Sequence, residues 1–173
     1  MRDFARIARL STVPMFGNRT LRYPDRASKH KMSHNPWYKK GLRFECTQCG
    51  ACCKNHGEYA FVYLTEHDLR AIPKFLGVPR REFVEQYCTT DEGWVVLRMD
   101  EPACAFLDEN NRCKIYPVRP KQCATWPFWT ENLERSVWEG QVKECCPGIG
   151  KGEVTPAEEV ERIARETDEF YAS

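Results

Sequence analysis

Four cysteines within eight residues, "CTQCGACC" from Cys46 to Cys53, constrain this chain more than any other feature. Cys46, Cys49 and Cys52 form two successive C-x2-C loops, the spacing at which a tightly turning backbone can bring soft thiolate donors onto one ion. Gly50 relieves the turn. Cys53 follows directly, and because neighbouring side chains tend to diverge, the doublet reads as a branch point between two adjacent sites or two sides of one centre. A second doublet, Cys145 and Cys146, lies a hundred residues on, with Cys104, Cys113 and Cys123 between. Ten cysteines in 173 residues far exceed ordinary usage, so thiol chemistry must organise the fold.

Three chemistries compete for such thiols. The first residues carry no apolar run of secretory length, and no stretch approaches the roughly 20 apolar residues of a membrane span. The expectation is a cytoplasmic protein without membrane contact, in a reducing compartment where clustered cysteines bind metal or do redox work rather than pair. Thioredoxin-like chemistry lacks its βαβ context here. A catalytic thiol needs a base and an orienting partner, and no Cys-His-Asn spacing, phosphate-cradling loop or motif-placed carboxylate pair is present. No catalytic constellation is recognised, which leaves the question of an enzyme open.

Metal ligation remains, with nine candidate donors once Cys88 is set aside. Cys88 closes the apolar stretch "EFVEQYC" and is expected in the core. The triplet Cys46, Cys49 and Cys52, followed remotely by Cys146-Pro147, matches the ferredoxin pattern in which one ligand precedes proline. An iron-sulfur cluster therefore fits as readily as zinc, in one or two centres. His56, close to the doublet in "CCKNHG", reads as a solvent-facing loop residue, and His30, His34 and His67 form no pair.

Around the cysteines the pattern predicts a small, loop-rich α+β domain with a β-hairpin, short helices and a C-terminal helix. "EYAFVYL" (58–64) and "WVVLRM" (94–99) read as strands. Thr65 caps "EHDLRAIPKFLG", Gly77 stops it, and Pro79 opens a second helix. "ACAFLDENNRCKIY" (103–116) reads as a hairpin; with Leu107 opposite Arg112, Cys104 and Cys113 share a face. A short helix is expected from Glu131 to Glu139, and a terminal one from about 155, capped by Thr155 with Pro156 at its first position.

With these residues in place, the chain resembles the YkgJ-type cysteine-cluster family of zinc- or iron-chelating domains with a CxxCxxCC signature. The signature is Cys46, Cys49, Cys52 and Cys53, and the likeness continues through "FVYLTEHDLRAI", "CAFLDENNRCKIYPVRPKQC" and "WPFW" to "CCPGIGKG", covering roughly residues 44 to 152. The resemblance implies metal binding by Cys46, Cys49, Cys52, Cys53, Cys104, Cys113, Cys123 and one of the last doublet. Cys146 is preferred for its following proline, with Cys145 as substitute or ninth ligand. The implied role is structural or electron-carrying; the alternative is an enzyme using the metal or cluster as cofactor.

Charge divides the chain. Residues 1–43 hold eleven Lys or Arg against two acids, and the remainder fifteen against twenty-three. Residues 1–40 read as a basic, partly disordered arm and 41–173 as the metal-binding domain. The arm, or the aromatic run Trp126, Pro127, Phe128 and Trp129, could meet a protein partner, although packing over the metal is the simpler role for the aromatics. The acidity of the body counts against nucleic acid.

Overall fold

The computed structural model describes residues 35–54, 61–91, 93–99 and 103–172. Most of the basic arm, with His30, His34 and His56, lies outside the described residues. β1 (Leu42–Phe44) leads into the cysteine loop and β2 (Val62–Tyr63) follows it. α1 (Asp68–Leu76) begins at a reciprocal cap: the Asp68 amide donates to Thr65 Oγ1 at 3.0 Å, and the Thr65 amide donates to Asp68 Oδ2 at 2.8 Å. This arrangement satisfies two donors that a helix start otherwise leaves orphaned. Gly77 ends α1 at φ 71°, a left-handed conformation that a side chain disfavours, and its amide donates to the Lys74 carbonyl.

Pro79 precedes α2 (Arg80–Tyr87), whose Phe83 is fully buried. β3 (Cys88–Asp91) then turns back into β4 (Trp94–Leu97), which pairs with β2 on its other edge to make an antiparallel sheet of order β2-β4-β3. β3 has no sequence signature, because "CTTD" offers one apolar residue and its pairing is imposed by β4. Cys88 is 5% exposed within the cluster that also holds Phe83, Leu97 and Phe106, as expected of a core residue.

Three local expectations are corrected. Residues 103–116 form no ladder: Leu107 bridges Cys113 rather than facing Arg112, and Lys54 bridges Ala103. The slip arises at Asp108, whose Oδ1 accepts the amides of Asn110 and Arg112 and tightens the turn, with Asn111 at φ 59°. The helix expected at 131–139 is displaced. Residues 130–133 make a 3-10 turn, and the helical run extends through α4 (Arg135–Val137), a π segment (Trp138–Val142) and α5 (Lys143–Cys145), delivering the second doublet at its end. Thr155 closes β5 (Ile149–Thr155), and it is the Pro156 carbonyl that accepts from Glu159 and Val160 to begin α6 (Ala157–Ala172).

β5 pairs antiparallel with β1, Leu42 opposite Thr155 and, across a bulge, Phe44 opposite Ile149. The core has two parts. One gathers Leu42, Phe128, Trp138, Val142, Val160 and Ala164; the other gathers Leu64, Leu69, Ile72, Phe83, Leu97, Phe106 and Ile115. Between Pro120 and the aromatic run lies α3 (Lys121–Thr125). The Lys121 amide donates to the buried Asp68 carboxylate at 3.2 Å, while Gln122 accepts from the Tyr63 amide at 2.8 Å and donates to the Phe61 carbonyl at 3.1 Å. α3 is thereby fixed against both α1 and β2.

Asp68 joins the start of α1 to α3, so Asp68→Ala should cost about 2–3 kcal/mol through stranded donors at Thr65 and Lys121, measured by urea unfolding. Burial also pushes the Cys88 thiol up from 9.0 to about 11. The folded state prefers the neutral thiol, so this contribution is complete below pH 9 and is lost as pH rises toward about 11. A Cys88→Ala variant should lose less stability than the parent between those pH values; equal slopes in urea titrations would refute the assignment.

Candidate metal centre

The cysteine loop is shaped by two consecutive left-handed turns, Gln48 at φ 52° and Gly50 at φ 70°, followed by a 3-10 turn at Ala51–Cys53. Gly50 is obligatory for a second reason: a Cβ there would meet the Asn111 carbonyl oxygen at 2.7 Å and Leu107 Cδ1 at 2.8 Å. The loop thus lies directly on the 107–113 turn. From its end, the Cys53 carbonyl accepts the Cys104 amide at 2.8 Å, and the Cys104 carbonyl accepts the Leu107 amide at 2.9 Å. Backbone bonds alone therefore draw Cys53, Cys104 and Cys113 into one neighbourhood.

A second clamp acts at the start of the loop. The Glu45 amide donates to the Gly148 carbonyl at 3.1 Å, and a Cβ on Gly148 would fall 2.2 Å from the Glu45 oxygen. Only glycine allows that approach. It sets Cys46 beside the Cys146 turn, where the Cys146 amide closes the preceding helix on Val142 at 2.8 Å. Cys123 enters from α3.

All eight cysteines expected to form the site, Cys46, Cys49, Cys52, Cys53, Cys104, Cys113, Cys123 and Cys146, line one cavity of about 80 Å³. Cys88 and Cys145 are not part of its wall. No disulfide joins any of the ten cysteines, all of which are described. Apolar walls come from Phe44 and Trp126 of one core cluster and from Leu97, Phe106 and Ile115 of the other, so the cavity sits at the junction between them. Cys46 and Cys52 are exposed at its mouth, and the other thiols of the wall are half-buried. Within the aromatic run Pro127 and Phe128 are buried, Phe128 stacking on Trp138 at 5.9 Å.

The doublet does not diverge. Cys52 and Cys53 Sγ lie 4.0 Å apart, both on the cavity side of the 3-10 turn. Their mutual hydrogen bond, aided by the Arg119 charge, brings Cys52 down to about 7 and drives Cys53 upward. Burial raises Cys104, Cys113 and Cys146, and Cys123 most strongly, while neighbouring thiols add to the rise in each. Among the described residues of the wall, Arg119 is the cation. Its guanidinium lies 4.1 Å from the Tyr116 ring centre and donates to the Tyr116 carbonyl at 3.0 Å. Tyr116 itself lines the cavity with Cys46, and burial, reinforced by Cys46, pushes its hydroxyl above the usual tyrosine range, a placement that no sequence signal announced.

Among the described residues, no three His, Cys, Asp or Glu side chains already stand at the spacing of a single bound ion. The donor set nonetheless suits zinc or iron: soft sulfur on every side, apolar walls, and an Arg to offset thiolate charge. Among the described residues no carboxylate lines it, a donor set that does not suit calcium or magnesium.

Comparison with known proteins agrees with this chemistry. The CxxCxxCC family, described as "Putative zinc- or iron-chelating domain", matches residues 45–147. An uncharacterized protein of Methanocaldococcus jannaschii is 32% identical over 93 residues, 53% of this chain and 48% of that protein, so the chain spans about half the length of that curated relative. No solved structure matches, and among the described residues no helix is long and apolar enough to cross a membrane. The matched span covers more than half of the chain and runs from the residue before Cys46 to the residue after Cys146, enclosing every cysteine of the cavity wall. This chain therefore belongs to the CxxCxxCC family.

Proposed function

We propose that the domain binds a polynuclear metal-thiolate centre, of zinc or of iron in an iron-sulfur cluster, with a structural or electron-carrying role. The observation that carries this reading is the sharing of one cavity by eight thiols. A single tetrahedral ion at about 2.3 Å from each sulfur takes four donors and draws them to about 3.8 Å of one another. Eight donors around about 80 Å³ are twice that complement, which suits two ions or a cluster. Because the cavity joins the two halves of the core, binding there is also folding free energy.

A second reading has its own support. Cys46 and Cys52 are exposed at the mouth beside Thr47 and Gln48, so a centre held there remains reachable by a substrate or redox partner. That accessibility suits an enzyme using the metal as cofactor.

Anaerobic purification with elemental analysis, sulfide assay and an optical spectrum tests the first reading. Two or more metal ions per chain are expected: with acid-labile sulfide and a broad visible band for a cluster, or colourless for zinc. One ion or none would overturn it. Serine at Cys53, Cys104, Cys113 or Cys123 should lower the bound metal, whereas Cys88→Ser should retain it. Gly148→Ala removes no donor but forces Glu45 away, and should also lower metal content by the same assay.

A further inference from the structure

Among the described residues, one buried side-chain polar atom has no hydrogen-bond partner, the indole nitrogen of Trp126. Folded chains leave few such groups, and each calls for an explanation, an ion or its ligand included. Two other tryptophans show the ordinary outcome: Trp37 donates to the Leu133 carbonyl at 2.8 Å, and Trp129 to the Thr125 hydroxyl at 3.1 Å and the Gln122 carbonyl at 3.2 Å. The Trp126 ring is held edge-to-face against Trp129, centroids 4.8 Å apart, and lines the thiol cavity together with Cys146. Its N–H therefore stands buried among the wall thiols with no acceptor at hydrogen-bond geometry.

We propose that the Trp126 indole N–H is a positioning donor to Cys146, forming a charge-assisted N–H···S bond once Cys146 binds metal as a thiolate. The proposal rests on the metal-thiolate reading above. A thiol sulfur is a weak acceptor, and an ionised one is far stronger, so a metal-bound sulfur is the acceptor that this buried N–H is matched to. Donors to ligand sulfurs orient the ligand and tune the metal, and in clusters they shift the reduction potential. Trp126 would thus choose Cys146 over its neighbour Cys145 as the ligand.

The test uses the full chain, labelled with nitrogen-15 and titrated anaerobically with cadmium, a zinc surrogate whose thiolate absorbance reports binding. The Trp126 indole resonance, assigned by its loss in Trp126→Phe or by its ring contacts with Trp129, should move downfield. Its hydrogen exchange should slow at least about tenfold, the factor of a charge-assisted bond. In Cys146→Ala the shift should vanish while thiolate absorbance from the other sulfurs persists; in Cys145→Ala it should remain. Cadmium binding with an unmoved Trp126 resonance, or a shift that survives Cys146→Ala, overturns the role of Trp126 alone. No thiolate absorbance at all overturns the metal reading and this inference with it.

Discussion

Thiols crowded into a low-dielectric cavity cannot all ionise together, because each thiolate loses hydration and repels the next. Burial and its thiol neighbours push Cys123 well up, and Cys52 escapes this through Cys53 and Arg119. The arrangement is relieved by positive charge at its centre, and a divalent metal is the cation that soft sulfur holds best. The cavity also lies where the two core clusters meet. Phe44 and Trp126 of one cluster and Leu97, Phe106 and Ile115 of the other face it together.

The clamps explain how a loop-rich chain can place donors from four separate segments. None is a long element. A carbonyl of the cysteine loop accepts from Cys104, an amide before the loop donates to Gly148, and Asp68 ties α3 to the cap of α1. Glycine is required at Gly50 and Gly148 because backbone meets backbone there. The placement of the wall thiols thus rests on two main-chain hydrogen bonds and on the Asp68 carboxylate.

Local signals were legible where local physics decides. The Thr65 cap, the Gly77 stop, the start of α2 after Pro79 and the interior place of Cys88 all follow from nearest neighbours. What escaped was set at a distance or by one side chain capturing nearby amides. β3 takes its form from β4, the register near Asp108 from a side-chain turn, and Thr155 its strand role from Leu42, more than a hundred residues away. The eight cavity thiols were legible because C-x2-C spacing and the family signature carry chemistry directly. The place of Tyr116 in the cavity wall and the orphaned Trp126 nitrogen were not, since aromatic residues near cysteines usually signify packing alone.

The pairing of β1 with β5 has a consequence in time. Cys46 and Cys146 are a hundred residues apart, and the seam that sets them together needs residues as far as Thr155. At about 5–20 residues per second on the ribosome, the cysteine loop is made several seconds before its last partner exists. Throughout that interval four thiols stand exposed on an unfinished chain, open to oxidation or to whichever metal arrives first. The order of synthesis thus makes the redox state and metal supply of the surroundings part of what decides which centre the finished domain contains.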